Sequence, residues 1–197
     1  MNKNRLEAFS DGVIAIIITI MVLEMKVPHG DTLASLQPLI PVFISYVLSF
    51  VNVAIYWNNH HHMLHAAKKV NGTVLWANIH LLFWLSLFPF VAGWMGENHF
   101  SEWPVVMYGV VSTMAGVAYY FLARSLAKLH GKDSTIAIAL GKDWKGILSI
   151  VIDVIGIALT FIHPWLGIAM YILLAAIWLI PDRRIESKLV PHDGENR

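Results

Sequence analysis

The chain of 197 residues has no cysteine, which excludes disulfides, thiolate metal sites and thiol redox switching. Charge is scarce: Asp, Glu, Lys and Arg make up 14% of residues, where soluble domains run near about 25%. A net charge of +1 gives no reason to expect nucleic acid as a partner. Long polar stretches that could fold as a soluble domain are also missing. In their place the residues are 57% hydrophobic with a mean hydropathy of +0.60. Apolar runs of roughly 20 residues recur along almost the whole length, each able to cross ~30 Å of hydrocarbon. The composition is that of an all-α integral membrane protein.

Six transmembrane helices are predicted, at 6–25, 39–60, 74–95, 104–126, 147–162 and 165–180. Pro28-His29-Gly30-Asp31 interrupts the chain after the first, and Pro38 and Pro41 fall in the opening turn of the second, where proline is tolerated. His163-Pro164 leaves so little chain between the fifth and sixth that they must form an antiparallel hairpin. The first run carries Asp11 early and lacks a small-x-small cleavage site, so it reads as a retained span and not a signal peptide. With the N-terminus cytoplasmic, every one of the 14 lysines and arginines except Lys26 falls in an inside segment, as the positive-inside rule requires. Both termini are therefore expected in the cytoplasm. Trp57, Trp94, Trp103, Trp144 and Trp165 lie near proposed span ends, where amphipathic rings favour the interface. Residues 1–181 read as one transmembrane domain, and 182–197 as a short polar cytoplasmic tail.

Polar residues inside such spans carry most of the functional information. Asp11 lies one turn into the first span and needs a partner; Arg5, six residues back on the same helix, is the expected one. The pair reads either as a structural anchor or as part of an ion path. Ile16, Ile20 and Leu23 fall at i, i+4 and i+7 and form one stripe, with Thr19 beside it. If copies of this helix surrounded an axis, the stripe would stack rings of bulky apolar side chains able to close a pore by dewetting, with threonine hydroxyls available to an ion. A lipid-facing or packed stripe, with Thr19 bonded to a carbonyl of its own helix, is the other reading. Almost every position from 13 to 23 is apolar, so periodicity does not choose a face.

His61 and His65, at i, i+4, could present two imidazoles to a metal. Membrane di-iron enzymes need several such boxes, and His29, His80, His99, His130, His163 and His192 are isolated, so no metal site or cofactor is expected. The cluster His60, His61, His62 and His65 is then either a hydrated interfacial group beside Lys68 and Lys69 or a network joining His60 or His61 to the Phe9-Ser10-Asp11 region. Asn78 and His80 in the third span and Asp153 in the fifth are further intramembrane polar groups. Ser112-x-x-x-Gly116, with Gly109, and the group Ala92, Gly93 and Gly96 mark close helix approach. Pro89 should kink the third span.

The element Arg5-x-x-x-Phe9-Ser10-Asp11, followed by Ala15-Ile16-x-x-Thr19, resembles the first-helix signature of the transmembrane protein 175 family of potassium channels. Trp57-x-x-His60-His61 and Trp76-x-Asn78 through Pro89 are similar to patterns of the same family. The resemblance implies a homotetramer in the prokaryotic plasma membrane, with the first helix of each subunit lining a central pore and potassium as the permeant ion. It implies a constriction at Ile16, Ile20 and Leu23, with Thr19 nearby. It also implies a structural network of Arg5, Phe9, Ser10 and Asp11, to which His60 and His61 are candidates to belong. The carbonyl filter Thr-Val-Gly-Tyr-Gly of ordinary potassium channels does not occur. Against this passive, non-enzymatic channel stands one alternative, a proton-coupled secondary transporter using Asp153 and His80.

Overall fold

The computed structural model describes residues 3–131, 134 and 144–179, and among these it is helical with no strand. The helices are α1 (Lys3–Leu23), α2 (Ile40–Ala66), α3 (Gly72–Leu85), α4 (Phe88–Glu97), α5 (Glu102–His130), α6 (Trp144–Thr160) and α7 (Pro164–Leu179), with a 3-10 helix Leu33–Leu39 leading into α2. Four stretches are long and apolar enough to cross a membrane: Lys3–Leu23, Leu33–Ala66, Gly72–Glu97 and Glu102–His130. Helices α6 and α7, at 17 and 16 residues, coincide with the expected fifth and sixth spans but fall short of the ~20 residues of a full crossing. The tail at 182–197 and most of the connection before α6 lie outside the described residues.

The third span differs from expectation in being two helices. Ser86 and Leu87 end α3 and lead into α4, with Pro89 in the first turn of α4. Proline there lacks the N–H that would continue α3 but suits a helix start. Ser86 Oγ turns back to donate to the Phe83 carbonyl at 2.7 Å. Pro38 likewise sits in the 3-10 helix and not in α2, whose opening turn holds Pro41. Helix α2 runs six residues past its expected end, so the histidines from His60 to His65 are helical.

Close approach is made at glycines, as expected of a membrane bundle, where packing drives helix association. A Cβ on Gly96 of α4 would come within 2.6 Å of the Val42 backbone of α2, and Ser45 Oγ of α2 donates to the Ala92 carbonyl of α4. Gly156 of α6 lies against Tyr171 of α7, and Gly167 of α7 lies against Thr160 of α6. That pairing runs antiparallel and establishes the predicted hairpin. Tyr108 of α5 packs between Phe88 and Tyr171, with ring centroids 5.7 and 5.5 Å away, and its hydroxyl accepts from Asn52 Nδ2 at 2.8 Å.

Basic residues collect at one end of the bundle. Lys3 Nζ donates to the Leu64 carbonyl at 3.1 Å, tying the start of α1 to the end of α2. The Lys68 and Lys69 amides donate to His130 Nε2 at 3.0 and 3.3 Å, tying the end of α2 to the end of α5. Among the described lysines and arginines only Lys26 lies at the other end, where it meets Glu97 at 2.8 Å.

Candidate functional site

Helix α1 buries Leu6, Ser10, Ile14, Ile17 and Met21, a stripe at helical period that packs on α2, α3 and α4. The opposite side stays open in the isolated chain: Ile16 is 60% exposed, Ile20 40% and Leu23 73%. Thr19 is exposed on the same side, and its Oγ1 donates to the Ala15 carbonyl at 2.8 Å. The candidate constriction residues thus share one uncovered face, with the threonine proton already committed inside the helix.

A chain of hydrogen bonds selects that face. Ser10 Oγ donates to the Leu6 carbonyl at 2.9 Å and accepts from Asn78 Nδ2 of α3 at 2.9 Å. Asn78 Oδ1 is then left to accept from His60 Nε2 of α2, 2.7 Å away. All three side chains are buried, and every donor in the run has an acceptor, so the chain joins three helices with no orphan among its bonded atoms. One residue further, Asp11 Oδ1 accepts from Trp57 Nε1 at 2.9 Å. Serine and aspartate at consecutive positions point about 100° apart around α1, so the two bonds together restrain its rotation.

Of the expected signature network, the structure joins Ser10 to His60 and leaves Arg5 and Phe9 pointing outward; Phe9 is 57% exposed. The expected Arg5–Asp11 pair does not form: among the described residues Arg5 makes no ion pair, and Asp11 is bonded to Trp57. Six residues of helix turn about 600°, which sets the two side chains roughly 120° apart, too far around for a salt bridge. His61 lies outside the buried chain, exposed and stacked between Trp57 and His65 at centroid distances of 5.8 and 6.2 Å. The histidine cluster therefore divides, with His60 in the network and His61 and His65 on the surface. Asn78 as the bridge and Trp57 as the donor to Asp11 were not identified from sequence. An amide in an otherwise apolar span was the available signal for the first.

A groove of about 540 Å³ runs beside the exposed face of α1, bounded by Ile16 and Ile20 on one side and Pro89, Phe90, Gly93 and Trp94 on the other. It follows the break between α3 and α4. A Cβ on Gly93 would meet nothing within 4 Å, so this glycine, unlike Gly96, contributes to an open surface.

Asp153 of α6 is buried and accepts from Ser112 Oγ of α5 at 3.0 Å. Ser112 thus serves as a polar partner besides marking close approach. His80, the other residue of the transporter alternative, accepts from Trp84 Nε1 of its own helix at 2.9 Å. Asp153 faces α2, α5 and α7 and not α3, so the structure does not bring the two together.

A family model described as the endosomal/lysosomal potassium channel TMEM175 matches residues 5–89, the stretch that contains the Ser10–Asn78–His60 chain and the whole exposed face of α1. A potassium channel of Chryseobacterium sp. (strain P1-3) is 53% identical over 189 residues, 96% of this chain and 98% of its own. The human endosomal/lysosomal proton channel TMEM175 is 34% identical over 96 residues, 42% of this chain and 19% of that protein. Among solved structures, a lysosomal potassium-selective channel TMEM175 homolog from Chamaesiphon minutus superimposes with a TM-score of 0.80 at 26% identity, covering 92% of this chain and 97% of that one.

Proposed function

The chain belongs to the TMEM175 family of ion channels, multi-pass membrane proteins, and on that premise we propose that it is a potassium-preferring channel of four identical subunits in a prokaryotic plasma membrane. Each subunit crosses six times with both termini in the cytoplasm, and α1 of each lines the axis. The observation that carries this is the uncovered apolar face of α1, where Ile16, Thr19, Ile20 and Leu23 lie together while the opposite stripe is packed. One copy of this helix encloses nothing, so a pore needs a closed ring of copies. The groove beside α1 supports such a ring, since it gives a neighbouring subunit an apolar surface next to the stripe. The gathering of basic residues at one end supports the orientation.

The constriction works physically by exclusion of water. Rings of isoleucine and leucine narrow enough to dewet stop ions unless the pore widens. Thr19 can accept from or coordinate with its free lone pairs, because its proton is held by Ala15. Potassium is preferred here over protons because the Chryseobacterium relative, matched nearly end to end, is named a potassium channel, whereas the proton-channel name belongs to vertebrate relatives of which this chain spans a small share.

Flux into liposomes holding the purified protein tests the proposal, with potassium, sodium and proton gradients applied separately. Passive potassium flux exceeding sodium flux, with selectivity reduced in Ile16→Asn, supports the channel and its constriction. Flux that requires a proton gradient, or that is indifferent to Ile16, sinks it.

A further inference from the structure

On the side of α2 away from α1, the helices α2, α5, α6 and α7 enclose a cleft of about 50 Å³. A cavity needs roughly 10–15 Å³ of such space to admit a water, so the cleft is large enough for a small ion with water. Its lining repeats at helical spacing: Asn52, Tyr56 and Asn59 on α2, and Ser149 and Asp153 on α6, with Ser112 from α5. Oxygen atoms therefore face it from three helices.

Asp153 is the acidic residue of this lining. Its residue surface is 2% exposed; Oδ2 accepts from Ser112, and Oδ1, equally buried, has no hydrogen-bond partner among the described residues. No described cation of the chain reaches it. Lys145 is the nearest on α6 but lies eight residues earlier, about 12 Å along the helix, with its ammonium 5.8 Å from the Trp178 ring centre. An acid at membrane depth with an unpartnered oxygen is costly and is retained where a bound cation, a proton or a polar group meets it.

We infer that the cleft is a binding site for one monovalent alkali cation, with Asp153 Oδ1 as the charged ligand and the hydroxyl and amide oxygens of Ser112, Tyr56 and Asn52 as neutral ones. The charge count selects the valence: one carboxylate balances one positive charge, while a divalent ion would leave an uncompensated charge in the membrane. Among the described residues no three His, Cys, Asp or Glu side chains gather to hold a divalent metal. The site is separate from the proposed pore, because α1 packs on α2, α3 and α4 while the cleft lies among α2, α5, α6 and α7. The inference does not depend on where ions cross.

The test is thermal unfolding of the full purified chain in choline chloride, with potassium or sodium chloride replacing choline at constant ionic strength. Wild type, Asp153→Asn, Ser112→Ala and the pore variant Ile16→Asn are compared. A bound cation raises Tm in proportion to the logarithm of its concentration once above its Kd. The expected result is that rise in wild type and in Ile16→Asn, a displaced rise in Ser112→Ala and none in Asp153→Asn. Whichever of sodium or potassium acts at the lower concentration identifies the cation. A rise that survives in Asp153→Asn places the ion elsewhere, and no rise in wild type means that a proton occupies the carboxylate; either result overturns the inference. Should Asp153→Asn not fold, infrared difference spectra of wild type decide. A carboxylate band that shifts between choline and the alkali salts supports the site, and a cation-independent carboxylic acid band refutes it.

Discussion

Asn78 Nδ2 donates to Ser10 Oγ across 2.9 Å and so holds the first helix to the third at a fully buried point. Its Oδ1 accepts the hydrogen bond of His60 Nε2–H. Replacing Asn78 with leucine orphans a buried hydroxyl lone pair and a buried imidazole N–H, and each such orphan costs about 1 to 3 kcal/mol. Asn78→Leu is expected to lower Tm more than Asn78→Asp or His60→Gln, which keep part of the chain; differential scanning fluorimetry in detergent compares them.

The Trp57–Asp11 bond is at the surface of the subunit and charge-assisted. Trp57→Phe keeps the ring on His61 but removes the donor, at an expected cost of about 1 kcal/mol. Asp11→Asn retains an acceptor oxygen and should be milder than Asp11→Leu. Equal losses for both Asp11 variants would show that the bond to Trp57 is not what matters there.

Thr19→Val replaces a hydroxyl whose proton is spent on its own helix. Stability should change by less than about 1 kcal/mol, because valine fills the same volume on an exposed face. Potassium flux per channel is expected to fall if threonine oxygens meet the ion. Unchanged flux and selectivity would remove Thr19 from the ion path.

Gly96→Ala places a methyl 2.6 Å from the Val42 Cα, and backbone cannot yield as a side chain can. A cost of about 1 to 3 kcal/mol is expected, with Gly93→Ala, which meets nothing, as the neutral control. Similar Tm values for the two variants would contradict the packing described.

Lys26 has its pKa raised above the ordinary 10.5 by its hydrogen bond to Glu97. A raised folded-state value means the contribution is present below that ordinary pKa and is lost as pH rises through the higher one. The pair is exposed on both sides, where such bridges count for little. Glu97→Gln is therefore expected to leave the unfolding temperature unchanged at neutral pH, as checked by a thermal melt.

How far these features could be read from sequence depended on where polarity broke an apolar background. The four long spans were visible from their length, and the α6–α7 hairpin from His163-Pro164. Pro89 signalled a kink but not a complete break, because proline chemistry sets where a helix weakens while neighbouring helices set whether it parts. The uncovered side of α1 was invisible to periodicity, since isoleucines occupy both faces: Ile14 and Ile17 are buried, Ile16 and Ile20 exposed. Ser10 and Asp11 carried that information, but only through partners on other helices, and a single sequence does not tell which Asn, Trp or Ser those partners are. Spacing also misled for Arg5, where nearness along the chain was offset by rotation around the helix.

The division of the third span also divides what the first helix rests on. Its lower part, α3, packs chiefly on α5, whereas its upper part, α4, packs chiefly on α2. The span is thus two pieces that meet at Ser86 and Leu87, each leaning mainly on a different neighbour. Ser10 near the start of α1 is fastened to α3, while Ile16 and Ile20 border α4, so the two halves of the first helix answer to different halves of the broken span.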